Sequence, residues 1–202
     1  MPSANFGERT NLDNRSLFVE LKEKGESIRF MLAGGGFYDG KHFMASEDGG
    51  WNVIDCPRIM KNEPCEMCET YFELRREAKD QEGAQKEATL KKARSYNAKI
   101  TFYYPIVDLD LSETKVLKTV LQIRTKLEGD FKQGINVLEQ PYKLSRTEDE
   151  DEYFKLEKIT PFKLSQEQQE AYDEAKKLNL EEIVIGKKSS QSFESEVKEA
   201  IL

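Results

Sequence analysis

Hydrophobic and polar positions alternate along several short stretches of the first half of the chain, as in half-buried β-strands. Apolar residues occupy every second position over 17–21, and a Lys-Gly-Glu turn at 24–26 predicts a hairpin with a second strand over 28–32. The segment 51–54 predicts another short strand. Aromatic and β-branched residues dominate 96–104, which predicts a strand that ends at the following proline.

Helical spacing appears between these strands. Apolar residues at positions 67, 71, 74 and 78 predict a helix over 65–78, and Gly83 separates it from a second helix over 84–94. Both segments are rich in Lys and Glu, so we expect them to lie outside the main core. Further along the chain, the pattern predicts a strand over 115–122 and a short helix over 124–133.

The last third of the chain begins with a predicted hairpin. Residues 142–145 and 153–157 are strand-like and flank the acidic run Glu148-Asp149-Glu150-Asp151-Glu152. Beyond them, Ser165 and Gln168 stand at the spacing of a capping box, which predicts a helix that continues through Lys177.

The order of these elements favours a mainly β protein with helical insertions, of the α+β class. Five or six short strands with helices inserted between them are typical of the OB-fold, a five-stranded, partly open barrel. We expect a flexible arm at 1–16, an OB-fold core at 17–160, a C-terminal helical extension at 161–185 and a flexible tail at 186–202. A metal-binding, helical insertion is expected within the core, at about 42–94.

All of the cysteines and the single histidine fall within one short window of the sequence. His42, Cys56, Cys65 and Cys68 are four potential ligands, and the last two form a Cys-x-x-Cys pair. Structural zinc sites take four tetrahedral Cys and His ligands, often with this spacing. An odd number of cysteines also argues against a disulfide framework. The sequence therefore predicts one structural zinc ion.

The zinc site is not predicted to be catalytic. The run Pro64-Cys65-Glu66-Met67-Cys68 matches half of the zinc deaminase signature, but the other half requires a Glu two residues after the histidine, where this chain has Met44. Four protein ligands would also leave no position for a reactive water. The only histidine is used as a ligand, and Asp108 and Asp110 have no evident catalytic partners. We therefore expect a protein that is not an enzyme.

Aromatic and basic residues around the predicted strands suggest a surface for single-stranded nucleic acid. Such surfaces combine rings that stack on bases with cations that follow the phosphate backbone. Strand alternation predicts that Lys99 and Tyr103 share an open face, with Phe102 and Tyr104 on the core face. The full set of candidate DNA-binding residues is Arg29, Phe37, Tyr38, Lys41, Trp51, Arg94, Tyr96, Lys99, Tyr103, Lys115, Lys118 and Arg124.

Together these residues resemble a known family. The order His42, Cys56 and Cys65-x-x-Cys68, followed by a helix and a strand that begins Ser95-Tyr96-x-Ala98, is similar to that of the zinc-containing single-stranded DNA-binding (helix-destabilising) proteins of tailed phages. The resemblance covers about residues 25–160. It implies an OB-fold, zinc on those four ligands, and sequence-independent binding of single strands in DNA replication, recombination and repair.

The two ends of the chain depart from that family. Its members often carry a basic N-terminal arm for self-association along DNA, whereas residues 1–16 contain only Arg9 and Arg15 as basic residues. An acidic C-terminal tail that recruits other replication proteins is also typical, but Lys187 and Lys188 interrupt it here. Self-association along DNA is therefore an expectation from the resemblance alone, whereas recruitment of other replication proteins is also suggested by the acidic surplus of residues 148–202.

The charge distribution agrees with a nucleic-acid partner better than the net charge of −7 does. Residues 1–147 carry 23 basic and 23 acidic side chains, so the negative surplus lies in 148–202, with 8 basic and 15 acidic. No signal peptide or membrane-spanning run is visible, which predicts a cytoplasmic protein, in the host cell if the protein is viral. Two alternatives stay open, namely a zinc-stabilised protein-interaction module and a binder of single-stranded RNA.

Overall fold

The structure, a computed structural model, shows an α+β protein with a mixed, open sheet and several helices. It describes residues 17–46, 48–149 and 152–185. Two compact units are present: Tyr38–Thr101, here called the cysteine unit, and the described part of Met1–Phe37 and Phe102–Leu202, here called the sheet unit. The predicted arm at 1–16 and tail at 186–202 lie outside the described residues. Among the helices of the described chain, none is long and apolar enough to cross a membrane.

The sheet unit contains six strands in the order β1–β6–β5–β2–β7–β8. The two-residue β1 runs parallel to β6, and the other neighbours are antiparallel. The strands are β1 (Phe18–Val19), β2 (Ser27–Leu32), β5 (Lys99–Asp108, whose first three residues belong to the cysteine unit), β6 (Glu113–Thr119), β7 (Pro141–Arg146) and β8 (Phe154–Lys158).

Helices cover both faces of the central strands of the sheet unit. On one face, Phe30 and Ile106 pack with Ile123 and Leu127 of α4 (Leu121–Lys132). Their neighbours on the opposite face, such as Met31, pack with α5 (Gln166–Ala175). A third helix of this unit, α6, spans Leu180–Ile185. Because both faces are covered, consecutive residues of β2 and β5 are buried, which hides the alternation expected of a half-buried strand.

The cysteine unit pairs a β-ribbon with short helical segments. Its ribbon consists of two antiparallel strands, and the chain then forms one short helix and two longer helices that pack on each other. The elements are β3 (Phe37–Ala45), β4 (Trp51–Asp55), α1 (Pro57–Lys61), α2 (Glu66–Glu77), a 3₁₀ turn (Ala78–Asp80) and α3 (Gly83–Tyr96).

Several of the sequence predictions are confirmed. The helices predicted at 65–78 and 84–94 are α2 and α3, and the capping box between Ser165 and Gln168 starts α5. The strands predicted on either side of the acidic run are β7 and β8, which pair with each other. The short strand predicted at 51–54 is β4, but its partner β3 was not predicted.

Other predictions of local structure are wrong. The segment 17–21 does not form a hairpin with β2; its two strand residues pair with β6, and β2 pairs with β5 and β7. Tyr96 ends α3 and does not start a strand. Pro105 does not end β5, because it lies opposite Val116 and its carbonyl accepts from the backbone N–H of Ala33 at 2.9 Å. Proline lacks only the donor, so it can still accept a hydrogen bond within a sheet.

Candidate metal centre and nucleic-acid interface

Four buried side chains of the cysteine unit converge on one point. His42 comes from β3, Cys56 precedes α1, Cys65 precedes α2, and Cys68 lies in the first turn of α2. His42 and Cys56 are 0% exposed, and the other two are 6% exposed. The structure therefore brings together all four residues that the sequence singles out as metal ligands.

The spacing of the ligand atoms suits a tetrahedral metal ion. The Sγ atoms of Cys56 and Cys68 lie 3.4 Å apart, and His42 Nε2 lies 3.3 Å from Cys65 Sγ and 3.7 Å from Cys68 Sγ. All four atoms are within 4.8 Å of one another. Usual zinc–ligand bond lengths place the corners of a tetrahedron about 3.5–3.8 Å apart. The cluster could therefore hold a metal ion such as zinc.

The main chain orients the histidine of this cluster. His42 Nδ1 lies 2.9 Å from the carbonyl oxygen of Tyr96, at the end of α3. A carbonyl can only accept, so the proton is on Nδ1, and Nε2 keeps a free lone pair toward the thiols. Metal-bound histidines are usually fixed in this way by their second nitrogen. Tyr96 was predicted as a DNA-binding residue, whereas in the structure its carbonyl oxygen orients the His42 imidazole.

The pKa values of the Cys65 and Cys68 thiols are shifted in opposite directions. Burial raises the pKa of the Cys65 thiol, but hydrogen bonds from the backbone N–H groups of Cys68 and Met67 and from the neighbouring thiols outweigh it and bring the pKa below its ordinary value. Burial, followed by the hydrogen bond and charge of Cys56, raises the pKa of Cys68 to about 12. Ionisation of Cys68 in this cluster therefore requires a compensating cation.

The β3–β4 ribbon has two chemically different faces. Cross-strand pairing places His42 opposite Ile54, and this face holds the metal ligands. The neighbouring pairs Phe43–Val53 and Ala45–Trp51 lie on the other face, because side chains alternate along a strand. Here Trp51 is 69% exposed and Val53 is 43% exposed. We call this side, including Lys41, the ribbon face.

A cation from outside the ribbon joins this face. The ammonium group of Lys99, at the start of β5, lies 5.0 Å from the centre of the Phe43 ring. Lys99 is exposed and forms no ion pair with a carboxylate of the described chain; Arg94, near the end of α3, is also exposed and forms no such pair there. The ribbon face therefore combines one exposed ring, that of Trp51, and the half-buried ring of Phe43 with a positive charge that has no carboxylate partner among the described residues. Lys41 contributes less, because it is paired with the buried Asp39.

The basic candidates of the sheet unit are all occupied by acidic partners. Arg29 donates from Nε to Asp110 at 2.8 Å, and Lys115 lies 2.7 Å from Glu113. The remaining pairs are Lys118 with Glu20 and Arg124 with Glu128. Arg124 also lies over the ring of Phe102, with 4.8 Å from Cζ to the ring centre. A phosphate would have to compete with a carboxylate at each of these four positions.

The prediction that Tyr103 lies on an open face of β5 is wrong. This ring is only 8% exposed and packs with Val116 and with Leu180 of α6. Phe37 packs partly buried against the same cluster, whereas Tyr38 is 45% exposed. Alternation along β5 failed here because a segment about eighty residues later covers the face that was expected to be open. A base cannot stack on the ring of Tyr103 in this arrangement.

A further group of side chains was missed in the sequence predictions. Phe72, Arg75, Arg76 and Lys79 follow Cys68 on one side of α2 and its 3₁₀ extension, and Arg58 of α1 lies over the Phe72 ring at 4.8 Å. We call these five residues the α2 stripe. Their spacing of three and four residues was visible in the sequence. Glutamates interspersed along the same helix concealed it.

Comparisons with known proteins assign no family. No protein-family model matches the chain, and neither a curated protein nor a solved structure matches it significantly. The resemblance to phage single-stranded DNA-binding proteins therefore depends on the residues of this chain alone.

Proposed function

We propose that this protein binds single-stranded DNA without sequence preference, as a replication, recombination and repair factor, through the ribbon face of a zinc-stabilised unit. The observation that carries the proposal is the combination of the exposed Trp51, the half-buried Phe43 and the exposed Lys99 on one side of the ribbon. Rings of this kind stack on any base, and an unpaired ammonium group beside them attracts the phosphate backbone. No base-specific hydrogen-bonding group is needed for such binding.

The metal cluster explains how a small ribbon can hold this surface in place. The β4 strand is exposed along its whole length, so it has little core of its own. Zinc on His42, Cys56, Cys65 and Cys68 would tie β3 and the end of β4 to α2 and supply the missing stabilisation. A complete set of four protein ligands is typical of a structural zinc site.

The sheet unit is proposed to be related to the OB-fold. Its run of five consecutive neighbours, β6–β5–β2–β7–β8, has the strand number of that fold, and all of these neighbours are antiparallel. A circular dichroism spectrum cannot distinguish this arrangement from other mixed sheets. An experimental structure that shows whether the strands close into a barrel would decide the question.

Trp51 allows a direct test, because it is the only tryptophan in the chain. Its emission should be quenched as unlabelled oligo-dT is added, and the titration should give the same affinity as anisotropy of a labelled strand. Trp51→Ala should weaken binding by about 5- to 150-fold, which corresponds to one stacked base. Phe131→Ala is the matched control, since that ring is 68% exposed in the sheet unit and should not affect binding.

The alternatives give different results in the same assay. An equal affinity for oligo-U and oligo-dT would indicate a general single-strand binder that includes RNA, because a stacking surface does not read the 2′-hydroxyl. Binding to duplex as tightly as to single strands would contradict the stacking model. If neither strand quenches Trp51 or shows a change of anisotropy while zinc is retained, the protein-interaction module becomes the better explanation.

A further inference from the structure

The α2 stripe is a second cationic and aromatic surface of the cysteine unit, separate from the ribbon face. It continues along the side of α2 that carries Cys68, so a metal ion held by Cys65 and Cys68 would fix the first turn of this helix. From Phe72 to Lys79 it extends about 10 Å along the helix axis. Glu69 borders it on the same helix.

The cations of the stripe are available for an anion. Arg58, Arg75, Arg76 and Lys79 are exposed, and none forms an ion pair with a carboxylate of residues 17–46, 48–149 or 152–185. The four basic candidates of the sheet unit, by contrast, are all paired. An incoming phosphate at the stripe would not compete with a carboxylate of the described residues, so its attraction is not offset by the loss of an existing ion pair.

Phe72 of the stripe and the neighbouring Tyr71 each contact one arginine of the stripe. The guanidinium of Arg58 covers Phe72, and the Tyr71 ring contacts Phe72 edge-on with 5.2 Å between ring centres. On the far side, Arg75 lies 5.7 Å from the Tyr71 ring centre and donates to its hydroxyl at 3.1 Å. Phe72 is still 41% exposed. Planar groups are thus presented next to fixed positive charges.

We propose that the α2 stripe binds a second segment of single-stranded nucleic acid, with Arg75, Arg76 and Lys79 on phosphates and the Arg58–Phe72 stack against a base. The inference rests on the proposed function, because it extends the bound strand beyond the ribbon face. A nucleic acid fits better than an acidic peptide, since arginine planes and aromatic rings both stack on bases. The carboxylates of an acidic peptide would interact only with the positive charges of the stripe and not with its aromatic ring.

The test compares three proteins of the full chain: wild type, Arg75→Ala/Arg76→Ala, and Arg75→Lys/Arg76→Lys. Oligo-dT affinity is measured across a salt series by anisotropy, and Trp51 quenching and zinc content are recorded on the same samples. Loss of two phosphate contacts should reduce the slope of log affinity against log salt by about 1.4 for a single strand. The lysine variant retains both charges and should keep most of the wild-type slope.

The outcomes separate the two proposals. A smaller slope in the alanine variant, with zinc content and Trp51 quenching unchanged, supports the stripe as a second contact. An unchanged affinity and slope in that variant, with Trp51 still quenched, overturns the stripe proposal and leaves the ribbon face standing. If Trp51 is never quenched but the alanine variant loses binding, the ribbon face is wrong and the stripe is correct. Equal binding of a labelled oligoglutamate, lost in the same variant, would make the stripe a peptide site and overturn the nucleic-acid assignment.

Discussion

The imidazole of His42 donates from Nδ1 to the carbonyl oxygen of Tyr96, across a distance of 2.9 Å. This contact joins β3 to the end of α3 and leaves Nε2 directed at the thiols of Cys65 and Cys68. The acceptor belongs to the main chain, so the identity of the side chain at position 96 has no part in the bond. Side-chain substitutions at positions 42 and 96 should therefore have different effects on the metal site.

His42→Ala should reduce zinc affinity by more than about 100-fold, because it removes both a ligand and the link to α3. Tyr96→Phe should leave the affinity unchanged, since the carbonyl remains. Competition with a chromogenic zinc chelator measures both. An equal loss of zinc in the two variants would mean that the Tyr96 hydroxyl, and not its carbonyl, supports the site.

Gly40→Ala should destabilise the cysteine unit by about 1–3 kcal/mol through overpacking. A Cβ at position 40 would lie 2.5 Å from Cγ2 of Ile59, and the Gly40 carbonyl also accepts from the backbone N–H of Cys56 at 2.8 Å. Gly35→Ala is the matched control, because a Cβ there meets nothing within 4 Å. Thermal denaturation of the zinc-loaded proteins should show a lower midpoint for Gly40→Ala only.

Removal of the metal should loosen the cysteine unit and spare the core of the sheet unit. The ligand cluster is the main buried group of the cysteine unit, with only partly buried apolar neighbours around it, whereas Phe30, Ile106 and Tyr142 belong to an apolar core. Hydrogen exchange followed by mass spectrometry, with and without a chelator, checks this. Faster exchange in α2 with unchanged exchange in β2 is expected, and equal acceleration in both would contradict it.

Binding of zinc to protein that a chelator has made metal-free should release protons at neutral pH. Burial holds the pKa of the Cys68 thiol at about 12, so this thiol is protonated without the ion and must lose its proton to become a ligand. Apparent zinc affinity should therefore rise with pH through the neutral range. An indicator dye in weak buffer counts the protons, and uptake without acidification would show that the thiols were already ionised.

Tyr142→Phe should destabilise the sheet unit by about 1.5–3 kcal/mol, the usual value for a hydrogen bond to a charged group. The Tyr142 ring is fully buried, and its hydroxyl donates to Asp130 at 3.1 Å. Denaturant titration of wild type and variant at neutral pH gives the difference. Tyr153→Phe serves as the control, because that ring is 54% exposed.

The same tyrosine predicts an alkaline loss of stability. Burial, then the charge of Asp130, raises the pKa of Tyr142 in the folded protein. The folded state therefore holds its proton more tightly than the unfolded chain does, so this contribution is complete below about pH 10 and declines as the pH rises above it. Phenolate absorbance from Tyr142 should appear only with unfolding, and a reversible titration in the folded protein would refute the expected burial effect.

The metal cluster could be predicted from the sequence because its determinants are local. All four ligands fall within 27 residues, and the Cys65-x-x-Cys68 spacing alone brings two of them to one turn of backbone. The ends of α2 and the capping box of α5 were predictable for the same reason. Each depends on residues within one or two turns, whose geometry the chain cannot avoid.

The nucleic-acid candidates were harder to predict because exposure is decided by distant segments. Leu180 covers Tyr103, and Glu20 neutralises Lys118 although it lies 98 residues away. Strand alternation also assumes one open face, yet helices cover both faces of β2 and β5. The periodicity of a single strand does not indicate which later helix will pack on it. Whether a candidate residue is exposed or buried is therefore known only from the tertiary structure.

The division between paired and unpaired cations has a practical consequence for handling the protein. With an isoelectric point near 5.1, the chain should be retained by an anion exchanger at neutral pH. The cations of the α2 stripe have no acidic partners among the described residues, so the protein should also be retained on heparin or phosphocellulose. Retention on both resins would mean that net charge is a poor guide to what this surface attracts.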